Sequence, residues 1–128
     1  MFTATTHGIT VSVEVRYEPE HSNPALYKYV FSYRVIIENN SDQTVQLLRR
    51  HWHIIDGKGL HREVEGEGVV GQQPVLHPGE SHRYSSWCPL RTPIGKMYGT
   101  YLMMRQHDHQ LFMVRIPEFR LEAPQILN

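Results

Sequence analysis

Residues 28 to 38 read KYVFSYRVIIE, and the spacing of the apolar side chains in this stretch decides the fold class. A helical stripe can be drawn through Leu26, Tyr29, Val30, Tyr33, Ile36 and Ile37. A strand instead uses every second position, which selects Tyr29, Phe31, Tyr33, Val35 and Ile37. Because β-branched and aromatic side chains suit a pleated surface better than a helix, the stretch predicts a β-strand.

The same alternation continues along the chain, interrupted by turn-forming residues roughly every dozen positions. It predicts seven strands, over residues 9–17, 28–38, 44–55, 61–65, 81–88, 97–106 and 110–116, with a looser tail over 119–121. Trp52 is the candidate core aromatic. Strands in this number without helices are typical of an all-β, two-sheet β-sandwich of the immunoglobulin or fibronectin type III-like kind, and a small barrel is the alternative.

The length, charge and cysteine content of the chain exclude several classes of protein. The length of 128 residues suits a single domain spanning residues 1–128. Thirteen basic and thirteen acidic residues leave no net charge, which argues against a nucleic-acid partner. Cys88 is the one cysteine, so no internal disulfide can form, and no apolar run is long enough for a membrane helix. We expect a cytoplasmic protein with no membrane partner.

Residues 66 to 71 read GEGVVG, the G-x-G-x-x-G spacing that binds dinucleotide phosphates when a helix follows it. Pro74 and Pro78 exclude such a helix here. The three lysines lack a Walker or protein-kinase context. We therefore expect Gly66, Gly68 and Gly71 to adopt positive φ values in a loop, or to let another part of the backbone approach closely. The alternative is a backbone nest for a small anion, with Arg49, Arg50 and Arg62 as candidate contacts.

Two histidines two positions apart, His51 and His53, would share one face of a strand and are the sharpest hint of metal binding. No spacing singles out a third ligand, and Arg49 on the same face would repel a cation. We therefore expect ordinary solvent-facing or hydrogen-bonded imidazoles, with no specific metal site and no cofactor. Metal binding through His51 and His53 is the alternative.

Nucleophilic and carboxylate chemistry is also weakly supported. Cys88 ends an apolar strand, where a buried and inert thiol is expected, and Ser85 and Ser86 lack the glycines of a nucleophile elbow. The alternating carboxylates of Glu63, Glu65 and Glu67 are expected to form a solvated strand face. The sequence therefore favours a protein that is not an enzyme.

A longer set of motifs carries a family resemblance. It begins with Arg50-His51-Trp52, runs through Gly66 to Pro74 and Pro78-Gly79-Glu80, and continues with Tyr84, Leu90, Thr92-Pro93, Gly95, Met97, Gly99 and Tyr101 to Ile116-Pro117 and Phe119. In this order the motifs resemble the ApaG family, also called CorD, over essentially the whole chain. Ser86-Trp87 departs from the family pattern, which usually has a glycine there.

The resemblance implies a fibronectin type III-like sandwich and a protein-interaction module. Similar domains are fused to eukaryotic F-box and DNA polymerase delta-interacting proteins, and the family is associated with cobalt and magnesium tolerance. We therefore predict an unidentified protein partner and leave a weak homodimer open. A nucleotide or small-anion sensor that uses the glycine loop is the alternative function.

The candidate binding loop comprises eight residues: Gly66, Glu67, Gly68, Val69, Val70, Gly71, Gln72 and Gln73. We expect at least one of its two valines to face the core. The remainder of the loop would then offer backbone amides and a small apolar area to a partner, since rigid sandwiches commonly carry function on loops.

Overall fold

The computed structural model describes residues 1 to 124, in which nine β-strands form. The strands are β1 (Phe2–Thr6), β2 (Ile9–Tyr17), β3 (Tyr29–Asn39), β4 (Val45–Asp56), β5 (His61–Glu67), β6 (Val75–Leu76), β7 (Ser81–Leu90), β8 (Ile94–Arg105) and β9 (Leu111–Glu122). Two short 3-10 helices, Pro19–His21 and Pro24–Leu26, lie between β2 and β3. Within residues 1 to 124, neither helix has the length and apolarity required to cross a membrane.

The strands make two antiparallel sheets. One has the order β1-β2-β3-β7, and the other has the order β5-β4-β8-β9, with β6 also paired to β4. Aromatic rings from both sheets meet between them: Tyr33 lies 5.3 Å from Trp52, and Phe119 lies 5.9 Å from Trp52. The predicted all-β, two-sheet β-sandwich is confirmed.

The stretch that decided the fold class is an inner strand of the first sheet. In β3 the side chains of Phe31, Tyr33, Val35 and Ile37 are buried, and Tyr29 is half-buried. Trp52 is buried as predicted. The alternation of the sequence therefore corresponds to the inner and outer faces of the pleated strand.

The sequence pattern did not predict β1 and β6, and it ended β5, β7 and β9 too early. β1 is short and joins β2 through a two-residue turn, His7-Gly8, in which both φ values are positive (50° and 79°). β5 continues to Glu67 rather than ending at Glu65. β9 runs through Pro117, because a register shift opposite Met97 and Gly99 forms a bulge that accommodates a residue without an N–H.

The two long sides of the sandwich differ. On one side β1 and β9 meet, since the amide of Arg115 donates to Thr6 Oγ1 at 3.1 Å and the rings of Phe2 and Phe119 lie 6.1 Å apart. On the other side β5 and β7 are the outermost strands of their sheets. This second side carries two adjoining concave surfaces.

Candidate functional site: a groove between two sheet edges

A groove lies between β5 and β7, and we call it the edge groove. Its first part encloses about 430 Å³, with Tyr33 and Trp52 at the base and Arg50, Val70 and Trp87 among the lining residues. A second part of about 480 Å³ adjoins it. Both parts share three residues, namely Ile54, Arg62 and Pro89. The two parts therefore form one continuous surface along the open side of the sandwich.

Exposed apolar side chains are concentrated at the edge groove. Eleven large apolar side chains are exposed in residues 1 to 124, and six of them line the groove: Leu26, Tyr27, Leu60, Val64, Val70 and Trp87. The indole of Trp87 is half exposed, and its outer neighbour is the ring of His21 at 5.0 Å. A contiguous apolar surface of this kind is typical of an interaction site, whereas scattered single residues are not.

The groove also carries a positive charge. Its basic lining residues are Lys28, Arg50, Arg62 and Arg91, whereas Asp56 is its one acidic lining residue. Asp56 Oδ1 already accepts hydrogen bonds from the amides of Lys58 and Leu60, at 2.8 and 2.9 Å. With four basic side chains and one carboxylate, the groove has an excess of positive charge, which favours an acidic ligand.

The candidate binding loop forms one end of the groove, and its tip is a two-residue turn. The amide of Val69 donates to the carbonyl oxygen of Gln72 at 2.8 Å, and the amide of Gln72 donates to that of Val69 at 3.0 Å. The central residues Val70 and Gly71 have φ values of 47° and 75°, as a type I′ turn requires. Val69 is buried, whereas the side chain of Val70 is 67% exposed. The prediction that at least one valine faces the core is confirmed.

The glycines of the loop serve the backbone. Gly68 has a φ of 64°, and its amide donates to the carbonyl oxygen of Leu48 at 2.9 Å. Arg50 Nη1 donates to the carbonyl oxygens of Glu67 (2.9 Å) and Gly68 (3.0 Å). Gly66 was predicted in the loop, but it belongs to β5 and has no positive φ value. Its missing side chain instead leaves room for the guanidinium of Arg50.

These contacts bear on the anion nest considered from the sequence. The amides of Gly68, Val69 and Gln72 donate to backbone carbonyl oxygens and are not available to an anion. The side-chain amide of Gln73 also donates to the backbone, at Leu48 O, over 2.9 Å. Three amides of the loop are therefore already hydrogen-bonded, and two of its carbonyl oxygens accept from Arg50.

The three candidate arginines do not converge. Arg50 and Arg62 both line the groove, but Arg62 pairs in register with Ile54, four positions along β4 from Arg50. Arg62 Nη2 donates to the carbonyl oxygen of Pro89 at 2.6 Å. Arg49 is exposed and alternates with Arg50 along β4, so it lies on the opposite face of the sheet.

Cys88 lies in the groove wall and is buried. Burial raises the pKa of its thiol to about 11, although the Arg62 guanidinium, 3.7 Å from Sγ, acts in the opposite direction. The predicted buried thiol is confirmed, whereas the sequence pattern identified no cation beside it. Arg62 was missed because it reaches Cys88 across the gap between the sheets, which the sequence does not reveal.

Buried phenols form the adjacent interior. The hydroxyl groups of Tyr84 and Tyr101 are hydrogen-bonded to each other, and burial raises the pKa of both. Burial also raises the pKa of Tyr33. These groups stay protonated at neutral pH and act as neutral hydrogen-bonding partners.

The metal candidates lie on the other face of β4. His51 and His53 are half-buried and alternate with the buried Trp52. They face β5 residues of the same sheet, among them Glu63, whose carboxylate lies 2.7 Å from His51 Nε2. The groove and the histidines are therefore two separate surfaces on opposite faces of one sheet.

Comparisons with known proteins agree with the motifs. The sequence model of the ApaG domain matches residues 19–105. Protein ApaG of Methylorubrum populi is 51% identical over 126 residues, which cover 98% of this chain and 96% of that protein. Protein ApaG of Brucella canis is 50% identical over 125 residues, which cover 98% and 95%. A crystal structure of a Bordetella pertussis protein described as ApaA has a TM-score of 0.88 and 50% identity, and covers 91% of this chain and 94% of that one. The chain belongs to the ApaG domain family.

Proposed function

We propose that this chain is a non-enzymatic, cytoplasmic binding module whose edge groove holds an extended segment of another protein, one that carries apolar and acidic side chains. The observation that carries the proposal is the coincidence, along the open side of the sandwich, of six exposed apolar side chains and four basic ones. Aromatic and arginine side chains around a desolvated centre are typical of the residues that dominate interface energies.

The shape of the groove supports an extended ligand. It follows β5, whose seven residues span roughly 20 Å at about 3.3 Å per residue. Both β5 and β7 are outer strands, so each has a backbone edge to which a peptide strand can be added. Side chains on the inner face of such a peptide would contact Val64, those on its outer face would lie near Trp87, and its acidic groups would lie near Arg62.

The conformation of Val70 supports a binding role for the loop tip. A β-branched residue with a φ of 47° is strained, and here its side chain is mostly exposed rather than packed. Strain of this kind costs stability, and it is found preferentially at functional positions. At the rim of the groove, Val70 adds apolar area to the surface that a partner would cover.

The titratable groups of the groove support a non-enzymatic reading. Burial keeps the Cys88 thiol protonated, with a pKa of about 11, and raises the pKa of Tyr84. Neither group is poised to act as a nucleophile or general base near neutral pH. The hydrogen-bonded loop amides likewise favour a protein ligand over a nucleotide.

Selection of linear peptides displayed on phage against the immobilised chain tests the proposal. We expect enrichment of peptides that combine acidic residues with large apolar ones. A selected peptide should bind Trp87→Ser and Val70→Ser at least tenfold more weakly than the parent. Met113→Ser removes an equally exposed apolar side chain outside the groove and should bind as the parent does. Failure to enrich any peptide, or equal losses in Trp87→Ser and Met113→Ser, would overturn the proposal.

A further inference from the structure

The outer face of the β4–β5 pair gathers imidazoles and carboxylates. The register places Glu65 opposite His51, Glu63 opposite His53 and His61 opposite Ile55, so alternate residues of both strands share this face. We propose that His51, His53, His61 and Glu63 form a binding site for one Zn²⁺-class divalent cation. The site is separate from the edge groove and does not depend on the function proposed for it.

The distances between the candidate ligand atoms suit a small cation. His51 Nε2 lies 2.7 Å from Glu63 Oε1, and His53 Nδ1 lies 3.8 Å from the same oxygen. His53 Nδ1 lies 2.9 Å from His61 Nε2. The ligand atoms of His51, His53 and Glu63 all lie within 4.8 Å of one another. Tetrahedral zinc with bonds of about 2.0–2.1 Å separates its ligand atoms by roughly 3.4 Å, so the ligand atoms of His51, His53 and Glu63 need only small adjustments. His61 lies beside this group through its contact with His53.

The donor types select the class of cation. Imidazole nitrogens with one carboxylate suit zinc and its borderline neighbours, whereas Mg²⁺ prefers oxygen ligands and retains its water. Imidazole binds a metal through an unprotonated ring nitrogen, so the hydrogen bond between His53 Nδ1 and His61 Nε2 would be replaced by nitrogen–metal bonds. We therefore expect Zn²⁺ to bind and Mg²⁺ not to compete.

The charge around the site favours a cation. Glu65 Oε1 lies 3.3 Å from His51 Nε2 and adds a second carboxylate beside Glu63. Arg49 lies on the same face and was expected from the sequence to repel a metal. However, Glu67 is its partner in the β-ladder, so a carboxylate stands next to that charge as well. Three carboxylates thus face the Arg49 guanidinium on β4 and β5. On the neighbouring strands the same face carries Lys96, which pairs with Glu118 at 3.5 Å, and Arg115.

The ligands are held by rigid elements. The ring of Tyr98 stacks on His53, with centroids 4.8 Å apart and an interplanar angle of 8°. β4 is an inner strand, paired with β5 on one side and with β8 on the other. A site built on paired strands with an oriented imidazole loses little entropy when a cation binds.

The sequence showed the pair His51 and His53 but not the other ligands. His61 and Glu63 lie on the next strand, and only the register of the β4–β5 hairpin brings them to the pair. The proposed site replaces the expectation of ordinary imidazoles, which depended on the lack of a third ligand and on the charge of Arg49.

Metal titration of the chelator-treated full chain tests the proposal. By isothermal titration calorimetry we expect one equivalent of Zn²⁺ to bind with micromolar or tighter affinity, unaffected by millimolar Mg²⁺. Co²⁺ as a spectroscopic substitute should give the intense visible bands of a four-coordinate nitrogen and oxygen site. His51→Gln with His53→Gln should abolish binding, and Glu63→Gln should weaken it at least tenfold.

Two controls keep this test decisive. Glu63 is exposed, so Glu63→Gln should fold even if the double histidine variant does not. His107→Gln removes an exposed histidine from a distant turn and should leave Zn²⁺ affinity unchanged. Absence of stoichiometric binding to the parent, retention of parental affinity in Glu63→Gln, or equal losses in His107→Gln and Glu63→Gln would overturn the proposal.

Discussion

The guanidinium of Arg50 lies against the α-carbon of Gly66, and a methyl group at Gly66 would come within 2.9 Å of both terminal nitrogens of Arg50. From this position Arg50 Nη1 binds the carbonyl oxygens of Glu67 and Gly68. Because Gly66 has no side chain, the guanidinium of Arg50 can lie against β5 and hydrogen-bond to the backbone of the following loop.

Gly66→Ala should therefore displace Arg50 and release both hydrogen bonds. Because the guanidinium is the end of a flexible side chain, it can move, and the expected cost is about 1–2 kcal/mol of unfolding free energy. Arg50→Ala should cost a similar amount. Urea denaturation of both single variants and of the double variant measures the coupling, and the double variant should be only slightly less stable than either single one. Additive losses would show that the two residues act independently.

The positive-φ glycines of the loop should differ in their tolerance of alanine. At Gly68 a Cβ atom would lie 2.2 Å from the carbonyl oxygen of Gln72, in addition to the strain of a φ of 64°. At Gly71 the φ is 75°, but a Cβ atom would have no neighbour within 4 Å. We expect Gly71→Ala to cost about 1 kcal/mol, from backbone strain alone, and Gly68→Ala to cost more than about 2 kcal/mol. Equal melting temperatures for the two variants would contradict this ranking.

The sequence predicted the features that depend on local pattern. The alternation at Phe31, Tyr33 and Val35 predicted a buried strand, and Pro74 argued against a dinucleotide fold, because both effects act within a few residues. The contacts that form the edge groove and the histidine cluster, in contrast, join residues that are distant in the sequence. Arg62 reaches Pro89 across the sandwich, and no periodicity in either segment encodes that contact. The glycine spacing at residues 66 to 71 likewise could not indicate that three amides of the loop donate to backbone carbonyl oxygens.

Nucleotides should not bind specifically to the glycine loop. The amides of Gly68, Val69 and Gln72 already donate to carbonyl oxygens, and no helix follows the loop within the described residues. Dinucleotides, ATP and GTP at sub-millimolar concentration should leave the thermal unfolding midpoint unchanged. A reproducible rise that is lost in Gly71→Ala, which should keep the fold, would contradict this expectation.

The Cys88 thiol should be inert in the folded protein. Burial raises its pKa from 9.0 to about 11, so a thiol reagent should modify it at pH 8 only after urea unfolds the chain. The shift also gives a sign to the pH dependence. The folded state holds its proton more tightly, so stability is fully present below pH 9 and falls as the pH rises through 9 to 11. Cys88→Ala should reduce that alkaline loss, and an unchanged pH profile in this variant would assign the loss to another group.

Val70 should contribute to binding at the expense of stability. Its φ of 47° is unfavourable for a β-branched residue, and its side chain is 67% exposed, so little packing is lost when it is replaced. Asparagine tolerates the left-handed region far better than valine, so we expect Val70→Asn to raise the unfolding free energy by about 1 kcal/mol. The same substitution removes apolar area from the rim of the edge groove and should weaken a groove-selected peptide several-fold. Urea melts and fluorescence titration of one protein preparation measure both effects.

Val75→Asn alters a less exposed valine outside the groove and should lower peptide affinity little. A loss of stability in Val70→Asn would mean that packing outweighs backbone strain at this position, and unchanged peptide affinity would remove Val70 from the binding surface.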